Sequence, residues 1–182
     1  MTEHISDELR WNQILMKIKP NPLSKDPTGY NPEELEKIQH EIIKSKDSAL
    51  AYFFSFEFNY KRNKMQKLIL EQKDAKYAHF YIKNIDNSNI NKFKKIILES
   101  KKPTYLFELA KHIKHLPDIK IIEDLIVESN SLTYIRLFAS EIKDADVERL
   151  EQVVLDSNNL EEAKKFAKSV KNSRMRNFLL VG

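Results

Sequence analysis

Apolar residues recur along this chain in one fixed cadence. The clearest copy runs Asp118-Ile119, Ile122, Leu125-Ile126, Ser129, Ser131, Tyr134, Phe138-Ala139 and Ile142. The copy before it runs Asn89-Ile90, Phe93, Ile96-Ile97, Ser100, Tyr105, Leu109-Ala110 and Ile113, and the copy after it Asp146-Val147, Leu150, Val153-Val154, Ser157, Asn159, Phe166-Ala167 and Val170. Two more degenerate copies precede these. One holds Met65, Leu68-Ile69, Asp74, Tyr77, Tyr81-Ile82 and Ile85; the other holds Leu35, Ile38, Ile42, Ser45, Asp47, Phe54 and Phe58. The spacing of three and four residues within each half copy is that of a helix with one buried face. Aligned on Ser45, Gln72, Ser100, Ser129 and Ser157, successive copies lie 27, 28, 29 and 28 residues apart. A fixed period of about 20 to 50 residues is the signature of a solenoid.

Polar positions mark where each helix begins. Asn89, Asp118 and Asp146 stand eleven residues before the reference position; Asp47, Asp74, Ser131 and Asn159 stand two residues after it. These side chains accept from the orphan N–H groups of a first helical turn. Asn31-Pro32-Glu33-Glu34 opens the first copy in the same way, and Pro103 behind Lys102 suits a first helical position. Each copy is thus a hairpin of two helices of about 10–12 residues, too short to be stable alone. Stacking must hold them. Small residues (Ser55, Ala110, Ala139, Ala167) beside large ones (Phe54, Tyr81, Leu109, Phe138, Phe166) predict close layers with filled gaps. The fold class expected is all-α, a right-handed α–α superhelix of about five short hairpins with a period of about 28 residues.

On this reading residues 1–30 are an N-terminal capping helix and irregular connection, 31–170 the five repeats, and 171–182 a C-terminal tail. Ser6 is the expected cap of the first helix, with Leu9, Trp11, Ile14, Leu15 and Ile18 on its apolar side. Trp11 is expected in buried packing. Pro20, Pro22, Pro27 and Gly29 write the connection. The tail is expected to fold back over the last repeat.

The cadence Tyr134-Ile135-Arg136-Leu137-Phe138-Ala139-Ser140-Glu141-Ile142, leading into Asp146-Val147-Glu148-Arg149-Leu150-Glu151, resembles the short tandem helical repeats of uncharacterised bacterial and bacteriophage proteins, and HEAT-like α-solenoids in general. The resemblance spans about residues 31–170 and rests on packing positions. It implies a scaffold that binds other proteins and brings no active-site residue with it. A minority of such folds, the alkylpurine DNA glycosylases, imply a basic groove with aromatics and an aspartate. Here the single tryptophan lies in the leader, and no aspartate stands among the basic residues described below.

Composition narrows the chemistry. The chain has no cysteine, which excludes disulfides and thiol catalysis, and only two glycines, which excludes phosphate-cradling loops. It has no apolar run long enough to span a bilayer, and the charged opening Thr2-Glu3-His4 is unlike a secretory signal, so a cytoplasmic protein is expected. Glu108, His112 and His115 are spaced for a metal, but no fourth ligand recurs, and packing or surface roles are the expectation. Glu123-Asp124 and Glu161-Glu162 read as solvated helix surface. The recurring serines at the reference position read as connection residues. No cofactor, metal or catalytic residue is expected, and the chain reads as a non-enzyme.

The net charge of +4 conceals a pattern, because residues 59–120 carry 15 basic and 6 acidic groups while residues 121–170 carry 6 and 11. On the second helices, the offset seven past the reference holds Tyr52, His79, Phe107, Arg136 and Lys164; the offset eleven past it holds Phe56, Lys83, Lys111, Ser140 and Lys168. Both lie off the apolar stripe and are expected to line one exposed ridge. Tyr52, Phe56, His79, Lys83, Phe107, Lys111, Arg136, Lys164 and Lys168 are therefore the candidate partner-binding residues. The expected partner is another protein with an acidic or mixed surface. Nucleic acid held by its backbone is the alternative, and neither a membrane nor a small-molecule substrate is expected.

Overall fold

The computed structural model describes residues 2–16, 18, 29–58, 60–85, 89–112 and 116–176. Among these residues the protein is all-helical, with eleven α-helices and no strand. They are α1 (Thr2–Leu15), α2 (Pro32–Ser45), α3 (Ser48–Glu57), α4 (Arg62–Gln72), α5 (Ala75–Asn84), α6 (Ile90–Ser100), α7 (Pro103–His112), α8 (Leu116–Glu128), α9 (Leu132–Glu141), α10 (Val147–Asp156) and α11 (Leu160–Ser169). From α2 onward they alternate as first and second helices of the five copies, and successive helices pack repeatedly on one another. The chain divides into two compact units, Met1–Ile96 and Ile97–Gly182.

The connection inside each hairpin is two or three residues long and follows one plan. Ser45, Ser100, Ser129 and Ser157 donate their hydroxyls back to the carbonyls of Ile42, Ile97, Ile126 and Val154, at 2.8, 2.7, 2.6 and 2.6 Å. The next residue is left-handed in all five copies: Lys46, Lys73, Lys101, Asn130 and Asn158 have φ between 50° and 55°. Glycine or asparagine suits such a position, and a lysine there costs on the order of 1 kcal/mol. The residue after that starts the second helix. Asp47 accepts from the N–H groups of Ala49 and Leu50, Asp74 from Lys76 and Tyr77, and Asn159 from Glu162. Ser131 makes no such cap; its own N–H instead donates to Ser129.

Two expected helix starts move. α1 begins at Thr2, so Ser6 lies inside it rather than at its cap. α8 begins at Leu116, because Pro117 is tolerated in a first turn, where its missing N–H has no intrahelical partner to lose. Asp118 consequently sits within that turn, near the positive end of the helix dipole. Second helices end on Phe58, Ile85, Ile142 and Val170, each extended, buried, and donating its N–H to the residue four earlier.

In the first unit, Phe54, Tyr81, Leu35, Met65, Ile69 and Phe93 are fully buried, and the Tyr81 and Phe93 rings stack at 5.0 Å. α1 packs against α3. Trp11 is 5% exposed and meets Phe53, Phe54 and Phe58 at 6.2, 6.5 and 6.0 Å between ring centroids, the buried packing expected of it. Leu9 departs from the expected apolar side and is exposed. Charge fixes the same helix: Asp7 accepts hydrogen bonds from the Tyr77 hydroxyl, from Lys76 at 3.0 Å and from Arg10, which also reaches Asp47 at 2.7 Å. Burial works to raise the Asp7 pKa, but the hydrogen bonds from Tyr77, Arg10 and Lys76 outweigh it and lower it to about 2.

In the second unit, Ile97, Leu106, Ile122, Ile126, Ile135, Phe138, Leu150 and Phe166 form the fully buried interior. Residues 171–176 turn back over the last repeat, where Ser173 and Met175 are buried. The rest of the tail, with Phe178, lies outside the described residues.

A polar position that the cadence hides links neighbouring copies in both units. Six residues before each reference stand Gln39, Gln66, Lys94, Glu123 and Glu151, of which all but Lys94 are buried. Gln39 donates to the Lys61 carbonyl at 3.3 Å and Gln66 accepts from the Asn89 amide at 2.9 Å. Glu123 accepts from the Asp146 N–H at 2.8 Å and from Arg149 at 3.3 Å. Each partner stands at the start of the next copy's first helix. Glu151 does the same to the tail, accepting from the Met175 N–H at 2.8 Å, Ser173 at 2.7 Å and Arg174 at 3.3 Å. Glu123 is therefore not solvated surface, as its place in a charged run suggests. It is a buried acceptor.

Candidate interaction face of the second helices

The nine candidate residues do not form one exposed ridge. Tyr52, His79 and Phe107, expected to be exposed, are 7%, 3% and 5% exposed. The reason is the packing of α3 on α5, α7 on α9 and α9 on α11. Second helices touch both their own first helix and the neighbouring second helix, so the buried arc is wider than the single stripe of the cadence, and offset seven falls inside it. Arg136 at that offset is half-buried; Lys164 alone is exposed. At offset eleven the expectation of exposure agrees with the structure: Phe56, Lys83, Lys111, Ser140 and Lys168 are all exposed.

The first unit brings Tyr52, Phe56 and His79 into one aromatic field. Tyr52 lies 6.0 Å from Phe56, 5.3 Å from Phe53, 5.8 Å from Tyr77 and 5.6 Å from Phe80, measured between centroids. Phe80 continues the field to Tyr77 and His79, at 5.8 and 5.6 Å. The Asn84 amide donates to the Tyr52 hydroxyl at 2.8 Å. Burial raises the Tyr52 pKa, partly offset by that bond, so the phenol is neutral at physiological pH. Phe56 is 54% exposed at the edge of the field, a large apolar ring facing water. Lys83 is exposed on α5.

In the second unit Lys111 and Arg136 are neutralised. Lys111 bridges to Glu141 at 3.3 Å and to Glu108 at 3.9 Å, and its ammonium stands 5.2 Å over the Phe107 ring. Arg136 lies 3.8 Å from Glu162, which also pairs with Lys165 at 2.9 Å. Phe107 faces Tyr134 at 6.1 Å, and the Tyr134 and Thr104 hydroxyls share a hydrogen bond of 2.7 Å. Lys164 and Lys168 are exposed one turn apart on α11.

Phe53, Tyr77 and Phe80 belong to the aromatic field and are missing from the candidate set. A signal for two of them exists in the sequence. The offset eight past the reference holds Phe53, Phe80, Glu108, Leu137 and Lys165, aromatic only in the first two copies.

Of the metal-spaced trio, Glu108 is half-buried and His112 exposed at the end of α7; His115 lies outside the described residues. Among the described residues no three His, Cys, Asp or Glu side chains are grouped to hold a metal ion, and no helix is long and apolar enough to cross a membrane. Compared with known proteins, the chain matches no family model, no curated protein and no solved structure.

Proposed function

We propose that this protein is a non-catalytic interaction module, a cytoplasmic scaffold that binds another protein through the aromatic face of α3 and α5. One observation carries the reading. Phe56 is a large exposed ring continuous with a packed field of aromatics, and exposed apolar surface of this kind marks sites where partners dock. Phe56 is the anchor, Phe53 and Phe80 its surroundings, and Lys83 the charge that selects an acidic or mixed surface. Tyr52 and His79 hold these rings from beneath, and Phe107 does the same for Lys111. Aromatic anchors in preorganised surroundings carry most interface energy once water is excluded. The even period of the copies supports reading the array as a right-handed HEAT-like superhelix.

Ion pairing counts against the nucleic-acid alternative. Of the basic candidates, Lys111 and Arg136 already face carboxylates. Lys83, Lys164 and Lys168 are too few to hold a backbone by counterion release alone. Without the basic groove, the glycosylase-like reading falls with it.

Photocrosslinking tests the proposal. With p-benzoylphenylalanine in place of Phe56, a protein adduct forms in native lysate, survives nuclease and persists as salt rises. The same probe in place of Lys164 gives none. Equal adducts at both positions, or loss of the adduct on nuclease treatment, would falsify the aromatic-face reading.

A further inference from the structure

The first helices α2 and α4 pack side by side. Between them runs a groove of about 470 Å³. Its floor is apolar: Leu68 is 4% exposed, and Ile43 beside it is 37% exposed, a branched side chain left facing water. Its rim is cationic, formed by Lys46, Lys64 and Lys67. Only Lys67 meets a carboxylate, Glu71 at 3.7 Å, in a pair open to solvent on both sides. Among the described residues Lys46 and Lys64 make no ion pair within 4.0 Å, although Lys64 lies near enough to the Glu36 carboxyl to help, after Lys61, to lower its pKa. Lys46 also holds the left-handed turn position, as Lys73 and Lys101 do in the next two copies and Asn130 and Asn158 in the last two.

We infer that this groove binds an acidic peptide segment of another protein, with one apolar side chain on the Ile43–Leu68 floor and flanking carboxylates on Lys46, Lys64 and Lys67. Charge complementarity sets the sign of the occupant: three ammonium groups converge on a space holding one carboxylate. The floor sets its class. A nucleic-acid backbone would use the lysines and leave Ile43 wet, since phosphate contacts require only charge and donors. A peptide covers both. A volume of this size accommodates one large side chain with its neighbours. The site shares no residue with the aromatic face of α3 and α5 and stands independently of it.

The test uses the whole chain and fluorescence anisotropy. The probes are a labelled dodecapeptide of glutamates with a central leucine pair, the same peptide with serines there, and a short DNA duplex. The leucine peptide binds, and the serine peptide binds at least about tenfold more weakly, the loss expected for one buried apolar side chain. Lys46→Glu with Lys64→Glu weakens the leucine peptide by roughly tenfold or more, as expected for two exposed ion pairs reversed. Ile43→Ser weakens it severalfold while circular dichroism stays unchanged, because the side chain is exposed. Phe56→Ala leaves the affinity as it was, so a failure of the aromatic-face proposal is separable from a failure here. Equal binding of the two peptides, no binding of the leucine peptide, affinity unaltered by the lysine or Ile43 variants, or tighter binding of the duplex at the same site would each overturn the inference.

Discussion

The two units present the same offsets of the same repeat and fill them with opposite chemistry. In the first unit, the second-helix face is aromatic: Phe53 and Phe80 at one offset, Phe56 exposed at the next, all tied to Tyr52. In the second unit the corresponding face carries Glu108 and Lys165, drawn into pairs with Lys111 and Glu162. Packing positions are alike in both. The repeat therefore constrains its buried residues and leaves the outer offsets open, so one scaffold supports an adhesive face and a self-satisfied one. An ion-paired face needs its partners' desolvation before it can bind anything else, whereas an exposed ring gains by being covered.

The largest test of that difference removes the aromatic staple at its buried end. Trp11→Ala takes away a ring packed on Phe53, Phe54 and Phe58, and is expected to cost about 3–5 kcal/mol. Urea denaturation followed by circular dichroism measures it. A cost near that of an exposed substitution would show that α1 is dispensable to the aromatic core.

A second, intermediate effect depends on pH. Asp7 has a folded pKa of about 2 against 3.8 for the free group, so the folded state releases its proton more readily than the unfolded state. Its stabilisation is fully present above about pH 4 and is lost as pH falls toward 2. We expect a contribution of ~1–2 kcal/mol, removed by Asp7→Asn, in denaturation midpoints compared at pH 6 and pH 3. The second unit answers acid differently. Burial raises the Glu123 pKa, over the opposing effects of the Asp146 N–H and Arg149, so protonation there stabilises the fold as pH drops. Glu151 opposes that trend. Burial works to raise its pKa, but the donors Met175, Ser173 and Arg174 outweigh it and lower it. Acid unfolding that begins in the second unit would break the comparison.

The smallest effect is on the paired face. Glu141→Gln leaves Lys111 with Glu108 alone, and a partly exposed ion pair is worth less than about 1 kcal/mol. Thermal melts in low and high salt check it, and the difference from wild type shrinks as salt rises. A loss of several kcal/mol would mean that the face is a structural seam.

Much of this was legible in the chain itself. The period, the helical hairpins, the caps at Asn31, Asp47, Asp74, Asp146 and Asn159, and the burial of Trp11 follow from spacing and from the needs of helix ends. The site was legible only in part. Offset eleven is exposed as its polarity suggests, but Tyr52, His79 and Phe107 are buried because each second helix has two neighbours, and a single stripe counts one. Glu123 could not be read as buried from its run of charges, because the N–H it accepts belongs to a residue 23 positions away. The aromatic field escaped for the opposite reason. Phe53 and Phe80 were there at one offset, in two copies of five, and averaging over copies erased them.

The buried acceptor of the first helices has a consequence for how such a chain can grow. Glu151 takes the amide hydrogen of Met175, 24 residues on, just as Glu123 takes that of Asp146, 23 residues on. Each of these carboxylates takes a backbone N–H, which every residue but proline supplies, together with an arginine: Arg149 at Glu123 and Arg174 at Glu151. The joint at these two glutamates thus asks of the arriving chain an amide and a nearby arginine. A hairpin that offers both at that turn meets those demands, as internal duplication of one period would. The same joint is a ready grafting point for engineering: residues 146–170 repeated after Ser173 would meet Glu151 at the 23-residue spacing at which Asp146 meets Glu123.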